Sequence, residues 1–182
     1  MHAEIIIAGF GGQGALFAGQ MLAYAAMDAG HHVTWIPSYG PEMRGGTAHC
    51  MVIISDDEIG SPLAEHPSAV IAMNQPSLDE YAPRVAPGGM LIHSAFPVAA
   101  PPDYPGLRRI EVPADTVAEQ LGSPQAANMV LVGALLAATE ILPLAAVEAA
   151  LVAHLPERHR SVLEANREAL RRGAAFVAAL PV

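Results

Sequence analysis

The first thirty residues leave little freedom. Ile5, Ile6 and Ile7 form an unbroken β-branched run, the pattern of a strand covered on both faces. Gly9-Phe10-Gly11-Gly12-Gln13-Gly14 follows at once. Residues 15–29 then hold good helix formers without a proline, and Gly30 supplies a C-terminal cap. A buried strand, a glycine turn and a helix in that order open an α/β domain.

The rest of the chain continues the alternation. Strands are expected over 32–36, stopping at Pro37, and over 47–55, 69–73, 89–93 and 109–112. Residues 38–46 carry turn chemistry without periodicity and read as a loop, and 96–105 is a proline-rich connection. The C-terminal third changes to helical spacing, with helices expected over 126–139, 144–155 and 157–179. Along the last of these Leu163, Asn166, Leu170, Gly173, Val177 and Leu180 recur at steps of three and four, one core-facing stripe. Glu168 with Arg171 and Arg172 belongs to a solvated face with helical ion pairs. Together these elements predict one domain over residues 1–182: a three-layer αβα, Rossmann-like fold with a mostly parallel sheet and a helical C-terminal third.

Composition removes several function classes. With 52% hydrophobic and 15% charged residues the chain has ample apolar surface to bury, which excludes intrinsic disorder. A net charge of −9 and a pI near 5.2 argue against a nucleic-acid partner. All 9 Lys+Arg residues are arginines, so neither Schiff-base chemistry nor a Walker-type phosphate loop is available. Cys50 is the single cysteine; it cannot form an internal disulfide or hold an iron–sulfur cluster by itself. A lone thiol, the absence of a secretory pattern before Gly9, and an apolar stretch over 129–139 too short to span a bilayer lead to the expectation of a cytoplasmic protein without a membrane partner. The 8 histidines show no metal-ligand spacing, and no metal site is expected.

The glycine loop satisfies G-x-G-x-x-G between a strand and a helix, where backbone N–H groups favour an anion. A nicotinamide cofactor would also call for an acidic residue about 20 residues on, at the end of the second strand. Ile36, Pro37 and Ser38 stand there instead. The second concentration of unusual residues is Ser38-Tyr39-Gly40-Pro41-Glu42-Met43-Arg44-Gly45-Gly46. A loop after a parallel strand emerges at the carboxyl edge of the sheet, as does the glycine loop, so the two are expected to converge. Arg44, followed by Gly45 and Gly46, is a planar bidentate donor where backbone sterics are minimal, suited to a phosphate, a carboxylate or a peptide carbonyl. Its alternative is an internal salt bridge, as with Glu42. Tyr39 can stack or donate, and Ser38 can cap a turn. Cys50 reads as a buried apolar residue.

GFGGQG at 9–14, SYGPEMRGGTAHC at 38–50, ISDDEIGSP at 54–62 and AMNQPS at 72–77 resemble the gamma subunit, or gamma domain, of 2-oxoacid:ferredoxin oxidoreductases. Asn128-Met129 with Gly133, and Asn166 with Ala169 and Gly173, extend the resemblance over nearly the whole chain. Tyr39-Gly40 and Met43-Arg44-Gly45-Gly46 favour the branch acting on pyruvate, 2-oxoisovalerate or 2-oxoglutarate over the indolepyruvate branch.

The resemblance implies a subunit of an enzyme that converts a 2-oxoacid to acyl-CoA and reduces ferredoxin. It implies no catalytic residue in this chain. Thiamine diphosphate, Mg and iron–sulfur clusters would belong to partners: the alpha and beta thiamine-binding subunits and a delta, ferredoxin-like subunit. Coenzyme A is the co-substrate of such a complex. Gly11, Gly12, Gln13, Gly14, Ser38, Tyr39, Gly40, Arg44, Gly45 and Gly46 would then face the CoA path or a partner subunit. A homodimer is a permitted state of the isolated chain. The residues alone also leave open a stand-alone NAD(P)-binding oxidoreductase or a regulatory binding module.

Overall fold

The computed structural model describes residues 1–39, 47–95 and 104–181. Their strands are β1 (His2–Phe10), β2 (His32–Tyr39), β3 (Thr47–Ser55), β4 (Ala69–Ala72), β5 (Met90–Ser94) and β6 (Arg108–Val112), joined into one sheet of order β2-β3-β1-β4-β5-β6. β1, β4, β5 and β6 are mutually parallel, and β3 runs antiparallel to both β1 and β2. β3 alone opposes the common direction, so the sheet is mostly parallel, as its alternating elements predict.

The isoleucine run sits in the middle of this sheet. Ile5, Ile6 and Ile7 are fully buried, with Ile5 and Ile7 in one core and Ile6 in the other. The larger core is covered by α1 (Ala15–Asp28), α4 (Ala127–Thr139), α5 (Leu144–His154) and α6 (Leu163–Ala178). The smaller packs under α2 (Gln75–Tyr81) and the 3-10 turn Ala82–Arg84, through Leu78, Tyr81, Ala82 and Val85. Three layers result, of unequal thickness. α4 buries residues around its whole circumference, the pattern of a central helix rather than a surface one. It meets α6 at Gly133 and Gly173, where backbone lies against backbone: a Cβ on Gly173 would sit 2.7 Å from the Val130 carbonyl carbon, and one on Gly133 would sit 2.8 Å from that of Leu170.

Three elements differ from expectation. β2 continues through Pro37 to Tyr39; it is an edge strand, where one row of N–H groups has no ladder partner and a proline is tolerated. Ser38 and Tyr39 are therefore strand, not loop. The final helix is divided into a 3-10 segment, Glu157–Val162, and α6. None of the six residues of that segment is buried, so no apolar face draws them into α6. Leu180, placed on the apolar stripe, lies past the helix end and is 38% exposed. Of the charges beside the stripe, Arg172 pairs with Glu168 at 2.8 Å, whereas Arg171 crosses to Glu148 on α5 at 2.5 Å. α2 and α3 (Ala114–Gln120), seven residues each, are too short for periodicity to reveal. No described helix is long and apolar enough to cross a membrane.

Candidate functional site

Register brings the ends of β1 and β2 to one edge. Gly9 and Tyr39 lie on either side of Ala48, so both strands finish at the same end of the sheet with β3 between them. Ser38 is half-buried near the end of β2, opposite His49. Gly40, Arg44, Gly45 and Gly46 lie outside the described residues, and the proximity of their loop to the glycine turn stays an expectation.

Gly11, Gly12, Gln13 and Gly14 form a tight turn between β1 and α1. Gly12 and Gly14 have φ of 101° and 79°, backbone that favours glycine. Gln13 is the unexpected member. Its N–H donates to Phe10 O at 3.0 Å, and its side-chain Oε1 accepts from Phe10 N at 2.7 Å and from Asn74 Nδ2 at 3.2 Å. Its Nε2 donates to Met73 O at 3.3 Å. The side chain thus folds back over Gly9, where a Cβ would be 2.9 Å from Gln13 Oε1. Asn74, fully buried, is the other end of this clamp: its Oδ1 accepts from Ser77 N at 2.9 Å and caps α2. The sequence signal for Asn74 was present as an Asn two residues before Pro76, a helix-start pattern.

On its other side the glycine turn is fixed by α4. Asn128 Nδ2 donates to Gly14 O at 3.0 Å, and its Oδ1 accepts from Met129 N at 2.8 Å. Two cavities flank this tie. The larger, about 440 Å³, is bounded by Gly12, Gly14, Phe17, Asn128, His159 and Asn166 among others. The smaller, about 230 Å³, lies toward β4 and β5, lined by Gln13, Met73, Ser94, Asp115, Gln125 and Leu131. In it Ser94 Oγ donates to Asp115 Oδ2 at 2.6 Å. Both cavities open at the carboxyl edge of the parallel strands, the usual place for a ligand in an α/β sheet. Asp115, Gln125 and His159 are site residues that motif reading passed over, because none belongs to a contiguous pattern.

Burial shifts Cys50, His49 and His93 toward their neutral forms. Cys50 is buried against Ala15 O at 3.5 Å, and burial pushes its thiol up to about 12. His49, beside the Tyr81 ring at 5.3 Å, and His93, with Nδ1 at 3.0 Å from Ser94 O, are both shifted below the ordinary histidine value, chiefly by burial. His154 stacks on Tyr24 and meets Asp28 Oδ2 at 2.8 Å, closing α5 onto α1. Among the described residues no three His, Cys, Asp or Glu side chains come together as metal ligands would.

Comparison with known proteins gives a consistent set of relatives. Residues 4–176 match the family model described as pyruvate ferredoxin/flavodoxin oxidoreductase. The ketoisovalerate oxidoreductase subunit VorA of Methanothermobacter thermautotrophicus is 46% identical over 134 residues, 74% of this chain and 28% of that protein. The chain therefore matches little more than a quarter of the length of that relative. Among solved structures, the gamma subunit of the keto/oxoacid ferredoxin oxidoreductase of Geobacter sulfurreducens superimposes with a TM-score of 0.84 at 31% identity, covering 98% of both chains. A chain of the 2-oxoglutarate:ferredoxin oxidoreductase of Magnetococcus marinus, solved with 2-oxoglutarate, coenzyme A and succinyl-CoA, gives a TM-score of 0.87 at 25% identity, over 99% of this chain and 32% of that one.

Proposed function

Since the chain belongs to the pyruvate ferredoxin/flavodoxin oxidoreductase family, we propose that it works as the gamma subunit or domain of a 2-oxoacid:ferredoxin oxidoreductase. The observation that carries this reading is the end-to-end match with a gamma subunit, 98% of each chain. In this role the protein does no chemistry alone. The holoenzyme oxidatively decarboxylates a 2-oxoacid, passes the electrons to ferredoxin and releases an acyl-CoA.

The residues agree with that division of labour. An iron–sulfur cluster takes about four thiolates, and this chain has one cysteine, buried and held protonated. Thiamine diphosphate with its magnesium would call for carboxylate and amide ligands grouped around a diphosphate. The described carboxylates form no such group. Among the described residues no grouping fits these cofactors, and we assign them to the alpha and beta thiamine-binding subunits and to a delta, ferredoxin-like subunit. In VorA and in the Magnetococcus chain the matching segment is a minor part of a longer polypeptide, which supports a fold that acts in company.

Residues 11–14 and 38–46 are proposed to face the thiamine-binding subunits and the path by which coenzyme A arrives. Phosphates and pantetheine amides suit turn N–H groups and the guanidinium of Arg44. Co-expression with the neighbouring subunits, followed by purification and steady-state assay, tests this. The expected result is a stable complex that reduces ferredoxin with a 2-oxoacid, while the isolated chain reduces no acceptor dye with pyruvate. Arg44→Ala should weaken assembly or raise the KM for coenzyme A. Activity of the isolated chain, or an Arg44→Ala complex unchanged in both respects, overturns the proposal.

A further inference from the structure

The two edges of the open sheet differ in chemistry. β6 ends one side, pairing with β5 alone. Arg108, Arg109 and Glu111 along it are charged and exposed, and charges on an edge keep other strands from adding to it. β2 ends the other side, pairing with β3 alone. Its sequence, HVTWIPSY, includes no Asp, Glu, Lys or Arg. Val33, Thr34, Trp35 and Ile36 are of the β-branched and aromatic kinds that strands favour. Pro37 is the one residue of β2 without an N–H, which leaves 32–36 as the stretch best able to pair outward.

The surface beside β2 is equally poor in charge. α1 packs over that edge, and its single charged residue, Asp28, is held by His154 at 2.8 Å. Between helix and strand lies a groove of about 220 Å³, lined by Gln20, Ala23, Tyr24, Met27, Val33 and Trp35. Met27 is 52% exposed, and residues 33–38 are all half-buried, with none fully covered. One side of the molecule therefore shows water a methionine, two aromatic rings and a row of backbone groups without ladder partners.

A second copy of the chain is the occupant these features fit. Copies with a net charge of −9 repel one another, so contact between them needs a face free of unpaired carboxylates, and this face is one. A partner recognised by opposite charge would find nothing here to meet. Antiparallel pairing of β2 with itself relates two copies by a two-fold axis and closes without further growth. The groove and the exposed Met27 lie on the same face, as a self-complementary contact requires. The strand runs about 27 Å, and strand plus helix stand about 20 Å deep. That gives a footprint of about 500 Å² on each copy, the low end of specific interfaces, and so a dimer in the micromolar range.

We propose that β2 is a docking edge for a second copy of this chain, the two β2 strands pairing antiparallel into one continuous sheet while the α1 helices close over the join. The groove beside this edge shares no lining residue with the two cavities at the glycine turn, and the proposal does not rest on the function proposed above.

Sedimentation velocity of the full chain over about 1–100 μM, the span expected of so small a contact, tests this. A monomer–dimer equilibrium is expected within it. Met27→Glu, at an exposed position where a charge leaves the core undisturbed, and Thr34→Lys, a lysine on the pairing edge, should each raise the dissociation constant by about tenfold or more. Arg108→Glu changes the net charge further, but on the opposite edge, and should leave the dimer intact. Amide hydrogen exchange at 33–36 should slow as concentration rises, which a contact made by the helices alone would not produce. A chain monomeric throughout, a dimer indifferent to both substitutions, association that grows past the dimer, or exchange at 33–36 independent of concentration overturns the inference. If the chain stays monomeric and Met27→Glu instead releases the subunits that co-purify with it, the edge belongs to a different polypeptide and the second copy is excluded. Co-purification of the parent chain with those subunits reads the proposed role in the complex separately.

Discussion

Replacing Gly173 by alanine adds one methyl group at the point where α6 touches α4. That Cβ would lie 2.7 Å from the Val130 carbonyl carbon, 3.0 Å from Val130 Cα, and closer still to the Val130 oxygen. Non-bonded carbon atoms settle at about 3.5–4.0 Å, so the helices must part by roughly 1 Å. The obstacle is helical backbone, which has no rotamer to change, and this places the steric cost toward the upper end of the overpacking range, about 3 kcal/mol. Alanine returns about 1 kcal/mol through its better helix propensity. The net loss is about 2 kcal/mol, or about 4–8 °C in Tm for a chain of this size. Urea denaturation followed by circular dichroism measures it directly. Gly133→Ala meets Leu170 in the same way, and the two positions share one helix contact. The double variant should therefore lose less than the sum of the singles, because the first substitution has already parted the helices. Arg172→Ala, on the solvent side of α6, is the control and should change stability by less than about 0.5 kcal/mol. If Gly173→Ala proves as stable as the parent, or more so, the close approach of α4 and α6 is wrong.

Two further outcomes follow from the buried titratable groups. Cys50, whose thiol is pushed up to about 12 by burial, should resist alkylation at pH 8 in the native protein and react fully in urea; native labelling at the rate of free cysteine would contradict its placement. His93 and His49 are shifted below the ordinary value by burial, with Arg109 and Arg84 acting in the same direction and Glu111 and Glu80 opposing. Between the folded value and the unfolded one near 6.5 the unfolded chain binds more protons, so stability rises with pH. The urea midpoint should be level above pH 7 and fall as pH drops through 6.5, with a shallower fall in His93→Asn. A midpoint that is flat or rises toward pH 5.5 refutes this.

Much of the framework was legible because it depends on short-range chemistry. The isoleucine run, the proline-free stretch before Gly30 and the apolar segment now seen as α4 each bury the faces their patterns demand. Pro37 misled because its effect depends on position in the sheet: in a central strand it would end pairing, whereas at the β2 edge it does not. The break before Leu163 was hidden because charged helix formers such as Glu157 and Arg158 have good local propensity; only the lack of anything to pack against leaves them in 3-10 geometry. Gly133 and Gly173 were visible as letters and not as a contact, since a pair of glycines 40 residues apart has meaning only once α4 and α6 cross. The cavity residues Gln125 and His159 are likewise joined by folding alone, across the gap between two helical segments.

The glycine loop shows how a familiar pattern can be put to another use. In a dinucleotide-binding sheet the second strand lies beside the first, and its terminal acid reaches the ribose while the pyrophosphate rests on the glycines. Here β3 is inserted between β1 and β2. The end of β2 is displaced by two strand spacings, about 10 Å, from the glycine turn, and it carries Pro37 and Ser38 rather than an acid. The crevice between β1 and β4, where such a sheet changes the side of its crossovers, holds the Gln13 side chain, bonded to Phe10, Met73 and Asn74. A cofactor entering there would have to displace three hydrogen bonds that brace β1 against α2. The glycines are needed for different reasons: Gly9 to admit Gln13, and Gly14 for its left-handed backbone and its contact with Asn128. What stays open is the outer side of the turn, where Gly12 borders both cavities.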